Sequence, residues 1–71
     1  MSLLNAEYGK QYKISDVRTS DEELNNFLFS LGCCPGEDVT LVSKISGNYV
    51  VSIKDGRYSI DRDLADAIQI S

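Results

Sequence analysis

Histidine and tryptophan are absent from this 71-residue chain, proline and methionine occur once each, and cysteine occurs twice. Without imidazole the chain lacks the commonest metal ligand and the usual general acid or base near neutral pH. Seven Lys and Arg face eleven Asp and Glu, giving a formal charge of −4, and the cations form no stripe. That balance opposes nucleic-acid binding, which rests on neutralising phosphates. No apolar run is long enough to cross a bilayer, so direct membrane insertion is not expected. Met1-Ser2-Leu3 leads directly into Asn5 and Glu7 without the charged and apolar regions of a secretory leader, and a cytoplasmic location is the expectation. Neither G-x-x-x-x-G-K-[ST] nor G-x-G-x-x-G occurs, which leaves nucleotide binding unsupported.

What is present is ordinary for a small folded domain: 42% hydrophobic and 25% charged residues. A chain of this length is read as one domain, residues 1–71, burying only about 60% of the surface its unfolded form exposes. Lys10 to Val17, with Tyr12 and Ile14 on alternate positions after Gly9, reads as a first strand. In "TSDEELNNFLFSLG" Ser20 and Glu23 have capping-box spacing, and Asp21, Glu22 and Glu23 favour a helix start through the dipole. Leu24, Phe27, Leu28 and Leu31 then fall at i, i+3, i+4 and i+7, predicting one apolar stripe on a helix from Asp21 to Leu31 stopped by Gly32. Phe29 lies about 140° from Leu24 around that helix, outside the stripe.

Beyond Pro35-Gly36, Val39 to Ile45 predicts a strand with Val39, Leu41 and Ile45 on one face, turned by Ser46 to Asn48. Tyr49 to Lys54 and Arg57 to Ile60 predict a hairpin, with Asp55-Gly56 as a two-residue type I′ turn. Asp61 to Ala67 suits a short helical turn capped by Asp61, and Ile68 with Ile70 alternate as a last strand. Five short strands with one main helix leave no room for parallel crossovers. The fold class expected is mainly β with one α-helix, an antiparallel sheet curled into a small barrel.

Cys33 and Cys34 are the first candidates for chemistry. Adjacent Cα atoms stand about 3.8 Å apart, too close for an ordinary disulfide. Two thiolates are half of what structural zinc requires, and a reactive thiol needs a base or cation that the sequence does not nominate. Small apolar packing at a helix-to-strand corner is the favoured reading, with the pair kept as weak metal candidates. Asp61, Asp63 and Asp66 lack the loop glycine and bidentate Glu of a calcium loop and read as helix-capping charges, as do Asp21, Glu22 and Glu23. Tyr12, Tyr49 and Tyr58 fit either half-buried packing or an aromatic groove of the kind peptide-binding domains use. No catalytic set emerges, and the residues alone describe a non-enzymatic binding module.

The segment "LFSLGCCPGEDVTLV" carries an L-x-x-L-G-x-x-P-G-x-x-V pattern through Leu28, Leu31, Gly32, Pro35, Gly36 and Val39. With the Asp55-Gly56 hairpin and the closing "IDRDLADAIQI", including Ile60, Ala65, Ile68 and Ile70, it resembles the FeoA family over nearly the whole chain. Cys33 stands where a larger apolar residue is common, Ala6 where leucine is usual, and Asp61 where a basic residue is usual. The resemblance implies a small cytoplasmic SH3-like β-barrel. It further implies an accessory or regulatory role in ferrous iron uptake through contact with FeoB, a membrane transporter with a cytoplasmic G-protein region, with no catalysis and no cofactor. Candidate contact residues are Phe29, Cys33, Cys34, Pro35, Tyr49 and Tyr58. A metal- or redox-sensing module using Cys33 and Cys34, and a stand-alone SH3-like peptide adaptor, stay open beside it, as does the oligomeric state.

Overall fold

The computed structural model describes all residues, Met1 to Ser71. Five strands, β1 (Gln11–Val17), β2 (Asp38–Ile45), β3 (Asn48–Ile53), β4 (Gly56–Ile60) and β5 (Ile68–Ile70), form one sheet in the order β4-β3-β2-β1-β5. Every pairing between these strands is antiparallel. Helix α1 (Glu22–Ser30) joins β1 to β2, helix α2 (Arg62–Ala67) joins β4 to β5, and a 3-10 turn spans Leu3–Asn5. The fold class read from the sequence stands.

Alternation builds the core. Tyr12 and Ile14 of β1, Val39 and Leu41 of β2, Tyr49, Val51 and Ile53 of β3, and Ile68 and Ile70 of β5 all point inward and are buried. The N-terminal Leu3, fully buried, joins this cluster, an element the short "LLN" segment did not announce. Two bulges bend the sheet. One lies between Ile14 and Asp16, within the pairing of β1 with β5, just after β1 leaves β2 at Lys13. Between Leu41 and Ser43 the pairing with β3 slips by one residue, so Ile45 is 61% exposed and does not share the inward face of Val39 and Leu41 as its spacing predicted.

The hairpin turns exchange roles. Ser46 (φ 50°) and Gly47 (φ 82°) both adopt the left-handed region of a type I′ turn. In the second hairpin the turn residues are Lys54 and Asp55, with Lys54 alone at positive φ (53°), while Gly56 already pairs with Ile53 in β4. The predicted Asp55-Gly56 loop is therefore corrected by one residue. Inward placement of Val51 and Ile53 sets this register, and a Cβ on Gly56 would lie 2.6 Å from Cζ of Tyr58, whose ring folds back over it.

Helix α1 also starts one residue late. Asp21, not Ser20, is the N-cap, its carboxylate accepting from the amides of Glu23 (2.9 Å) and Leu24 (3.4 Å). An anionic oxygen facing the helix dipole makes the stronger cap, and the Ser20–Glu23 box does not form. The predicted apolar stripe is only partly buried. Leu28 is fully enclosed and Leu31 half-buried, whereas Leu24 and Phe27 are 36% and 46% exposed. A helix of nine residues held to the sheet through its last turn leaves its first turns facing solvent. Helix α2 begins as read, with the Asp61 carboxylate accepting from the Leu64 amide at 2.9 Å.

Candidate functional site

The corner after α1 is built from two backbone motifs. Gly32 (φ 98°) receives the helix end, with its amide donating to the Phe29 carbonyl and the Cys33 amide to the Leu28 carbonyl, both at 3.0 Å. This six-to-one and five-to-two pair is a Schellman stop. Next, Cys34-Pro35-Gly36-Glu37 closes as a turn, the Glu37 amide donating to the Cys34 carbonyl at 3.0 Å with Gly36 at φ 92°. Pro35 supplies the fixed φ before a glycine that supplies the positive one. The Gly36 amide then donates to the Ile14 carbonyl at 2.8 Å, tying the corner to β1.

Within this corner the two thiols differ. Cys33 is fully buried, and burial, followed by the neighbouring Cys34, pushes its thiol up to about 11. A thiol held in that state is a poor nucleophile and a poor metal donor at neutral pH. Cys34 is half-buried, and the two are unbridged. No three Cys, Asp or Glu side chains come together as an ion-binding group.

The last turn of α1 and the tip of the β3–β4 hairpin face each other across an open groove of about 410 Å³. Phe29 and Leu31 line it from the helix side, Ile53 and Tyr58 from the hairpin side, with Gly32 and Gly56 between them. A side chain at either glycine would crowd this surface: at Gly56 a Cβ would displace the end of the Tyr58 ring. A Cβ on Gly32 would stand 3.3 Å from Cγ2 of Ile53, at a φ that side chains rarely adopt. Phe29 is 43% exposed and Tyr58 half-buried, so two aromatic rings border one concave surface.

Of the six contact candidates, then, the structure brings Phe29 and Tyr58 together. Cys34 and exposed Pro35 lie on the following turn and do not line the groove. Cys33 and Tyr49 are enclosed in the core and present no surface to a partner. Strand alternation puts Tyr49 inside, and Lys44 Nζ sits 5.2 Å from the centre of its ring. Tyr12 is likewise buried, its hydroxyl accepting from the Glu7 amide at 3.0 Å. Sequence reading assigned Leu31 to the core stripe and gave Ile53 no role. Their meeting depends on a hairpin tip folding back on a helix more than twenty residues earlier, which no local pattern encodes.

A second hollow, about 290 Å³ on the outer face of the sheet, is lined only by polar and charged residues, among them Gln11, Thr40 and Ser52 of adjacent strands. At its rim Lys13 Nζ donates to Asp38 Oδ1 at 2.9 Å, and this hydrogen bond holds the exposed carboxyl below its usual range. Such exposed pairs contribute little to stability.

The model of the FeoA domain matches residues 1–71. No curated protein matches the sequence. Among solved structures, iron(II) transport protein A from Clostridium thermocellum is similar at 25% identity and a TM-score of 0.90, covering 100% of this chain and 44% of that one. This chain thus spans less than half of that protein's length. The FeoA of Stenotrophomonas maltophilia, solved with zinc and described as a prokaryotic SH3 domain protein, shares 18% identity at a TM-score of 0.89, covering 100% of this chain and 89% of that one. IdeR of T. acidophilum shares 21% identity at 0.88, with this chain covered fully and 33% of that chain matched. The latter two likenesses show the fold, which is SH3-like.

Proposed function

This chain belongs to the FeoA family, associated with ferrous iron transport, and from that premise we propose that it is a cytoplasmic accessory protein that contacts a FeoB-like ferrous iron transporter through the groove bordered by Phe29 and Tyr58. The observation that carries the reading is an exposed aromatic ring on a concave surface: Tyr12 and Tyr49 are buried, and the exposed rings of Tyr8 and Phe27 do not line the groove. Partly exposed rings beside a pocket have the chemistry of interface anchors: large apolar area, few rotatable bonds and water to release. Two glycines keep the groove floor open, since a side chain at either position would meet Ile53 or Tyr58.

The role is regulatory and non-catalytic. The buried Cys33 thiol is suited to packing, and no imidazole is present to serve as a base. The bulk of a small interface is complementarity, with one or two anchors setting affinity. Tagged wild-type protein is therefore expected to co-purify with membranes containing the cognate transporter and not with membranes lacking it. Equal recovery from both membranes would remove the transporter as partner.

A further inference from the structure

The two edges of the sheet are treated differently. Strand β5 is covered by the chain's own N-terminus: the Ile70 amide donates to the Met1 carbonyl at 2.7 Å, and Ser2 bridges Gln69. Strand β4 pairs only with β3. Around its two-residue turn, Ile53–Gly56, Val51–Tyr58 and Tyr49–Ile60 are directly opposed pairs. In an antiparallel ladder the pair flanking such a turn exchanges hydrogen bonds, and the exchange recurs at every second residue. Gly56, Tyr58 and Ile60 therefore bond to β3, and the N–H and C=O groups of Arg57 and Ser59 face outward. No turn, cap or side-chain hydrogen bond uses those groups. The next residue on that face, Asp61, is itself extended (φ −79°, ψ 175°) and adds an outward N–H to the row, its C=O being taken by the Ala65 amide at 3.0 Å.

An open row of this kind is a template for another strand. Its charges select which. Arg57, Ser59 and Asp61 are exposed and alternate on one face, so a matching antiparallel strand needs an acid opposite Arg57 and a base opposite Asp61, four residues apart. Strand β4 itself has that pattern. A twofold axis through Ser59 sets Ser59 against Ser59 of a second copy, Arg57 against its Asp61, and Asp61 against its Arg57. An axis through Arg57 would oppose like charges, and one through Tyr58 would oppose Asp55 and Asp61. On the inner face the Ser59 register puts the half-buried Tyr58 against Ile60 of the second copy, covering the ring.

We propose that β4 pairs with β4 of a second copy in this register, closing the sheet's open edge in a symmetric dimer. The interface is isologous, which needs no other partner, and the purified chain alone reports it; because it covers Tyr58, it competes for that ring with the proposed transporter contact. Few residues are involved, so association is concentration-dependent.

Sedimentation equilibrium of the full chain from about 10 µM to about 1 mM is the test, because mass action must shift the population across that span. The weight-average mass is expected to rise from 7.9 kDa toward twice that value. Ser59→Pro removes an outward N–H at an exposed edge position and should hold the chain monomeric, while Ser59→Ala should dimerise like wild type. Arg57→Asp and Asp61→Arg should each weaken self-association by roughly tenfold or more, since each turns two opposed pairs into like charges. Their mixture restores both attractions and should form the mixed dimer. Should Asp61→Arg lose its fold with the α2 cap, Ser59→Pro and Arg57→Asp decide the matter. A wild-type chain that stays monomeric throughout, or dimers that survive Ser59→Pro, would overturn the proposal.

Discussion

The amide of Cys33 donates to the carbonyl of Leu28 at 3.0 Å, and both side chains are completely buried. In a Schellman stop these are the two positions whose apolar side chains meet beneath the turn. Leu28 is the only fully buried residue of α1, so this pair is the point at which the helix is fastened to the sheet. The first of the two adjacent cysteines is thus accounted for as packing at a helix end, and the groove beside it inherits its shape from that fastening.

Leu28→Ala should therefore cost about 2 to 5 kcal/mol, a large share of what a domain of this size possesses. Phe27→Ala and Phe29→Ala, at exposed rings, should each cost less than about 1 kcal/mol. Chemical denaturation ranks the three. A Phe27 variant as damaging as the Leu28 variant would show that the helix lies more deeply on the sheet than described.

For Cys33 the expectation concerns alkaline pH. The buried thiol keeps its proton up to about 11, against an ordinary value of 9.0. The neutral thiol's contribution is therefore fully present below pH 9 and declines as the unfolded chain ionises first, until the folded thiol also titrates near 11. Measured against Cys33→Ala, the stability advantage of wild type should shrink across that interval. In the native protein a maleimide should label Cys34 well before Cys33. Equal labelling of both thiols would contradict the burial of Cys33.

Gly56 and Tyr58 should behave as one unit. Gly56→Ala places a methyl group where the end of the tyrosine ring lies and should cost about 1 kcal/mol as the ring is pushed aside. In a Tyr58→Ala background the same change should cost much less. A double-mutant cycle measures the coupling, and additive costs would show that the ring does not lie over Gly56.

The cap of α1 gives a sharper contrast. Asp21→Ala should lose about 1 kcal/mol, whereas Ser20→Ala should change stability by less than about 0.5 kcal/mol. The reverse ranking in thermal or chemical melts would restore the Ser20 capping box.

Much of the architecture was legible because period-2 alternation and turn chemistry are local. Tyr49, Val51 and Ile53 read as one face and are one face; Asp61 reads as a cap and is one. Misreadings arose where neighbouring segments arbitrate. A bulge after Leu41 turned Ile45 outward, and a carboxylate displaced a hydroxyl as the cap of α1. Four apolar residues at helical spacing identified the helix but not how much of its face the sheet covers, since Leu24 and Phe27 meet no element that buries them. For the candidate site, the helix phase put Phe29 on the surface, and strand patterning left Tyr58 ambiguous. Only the fold shows the two rings bordering one groove and places Tyr49 and Cys33 in the core.

The most direct test of the account is recovery of the transporter by Phe29→Asp relative to wild type, from the same transporter-containing membranes. Burying one ring in an interface contributes about 2 kcal/mol, and a carboxylate in its place adds a desolvation cost. The variant should melt like wild type, give the same circular dichroism spectrum and lose co-purification. Undiminished recovery by that folded variant would contradict the groove as the contact surface.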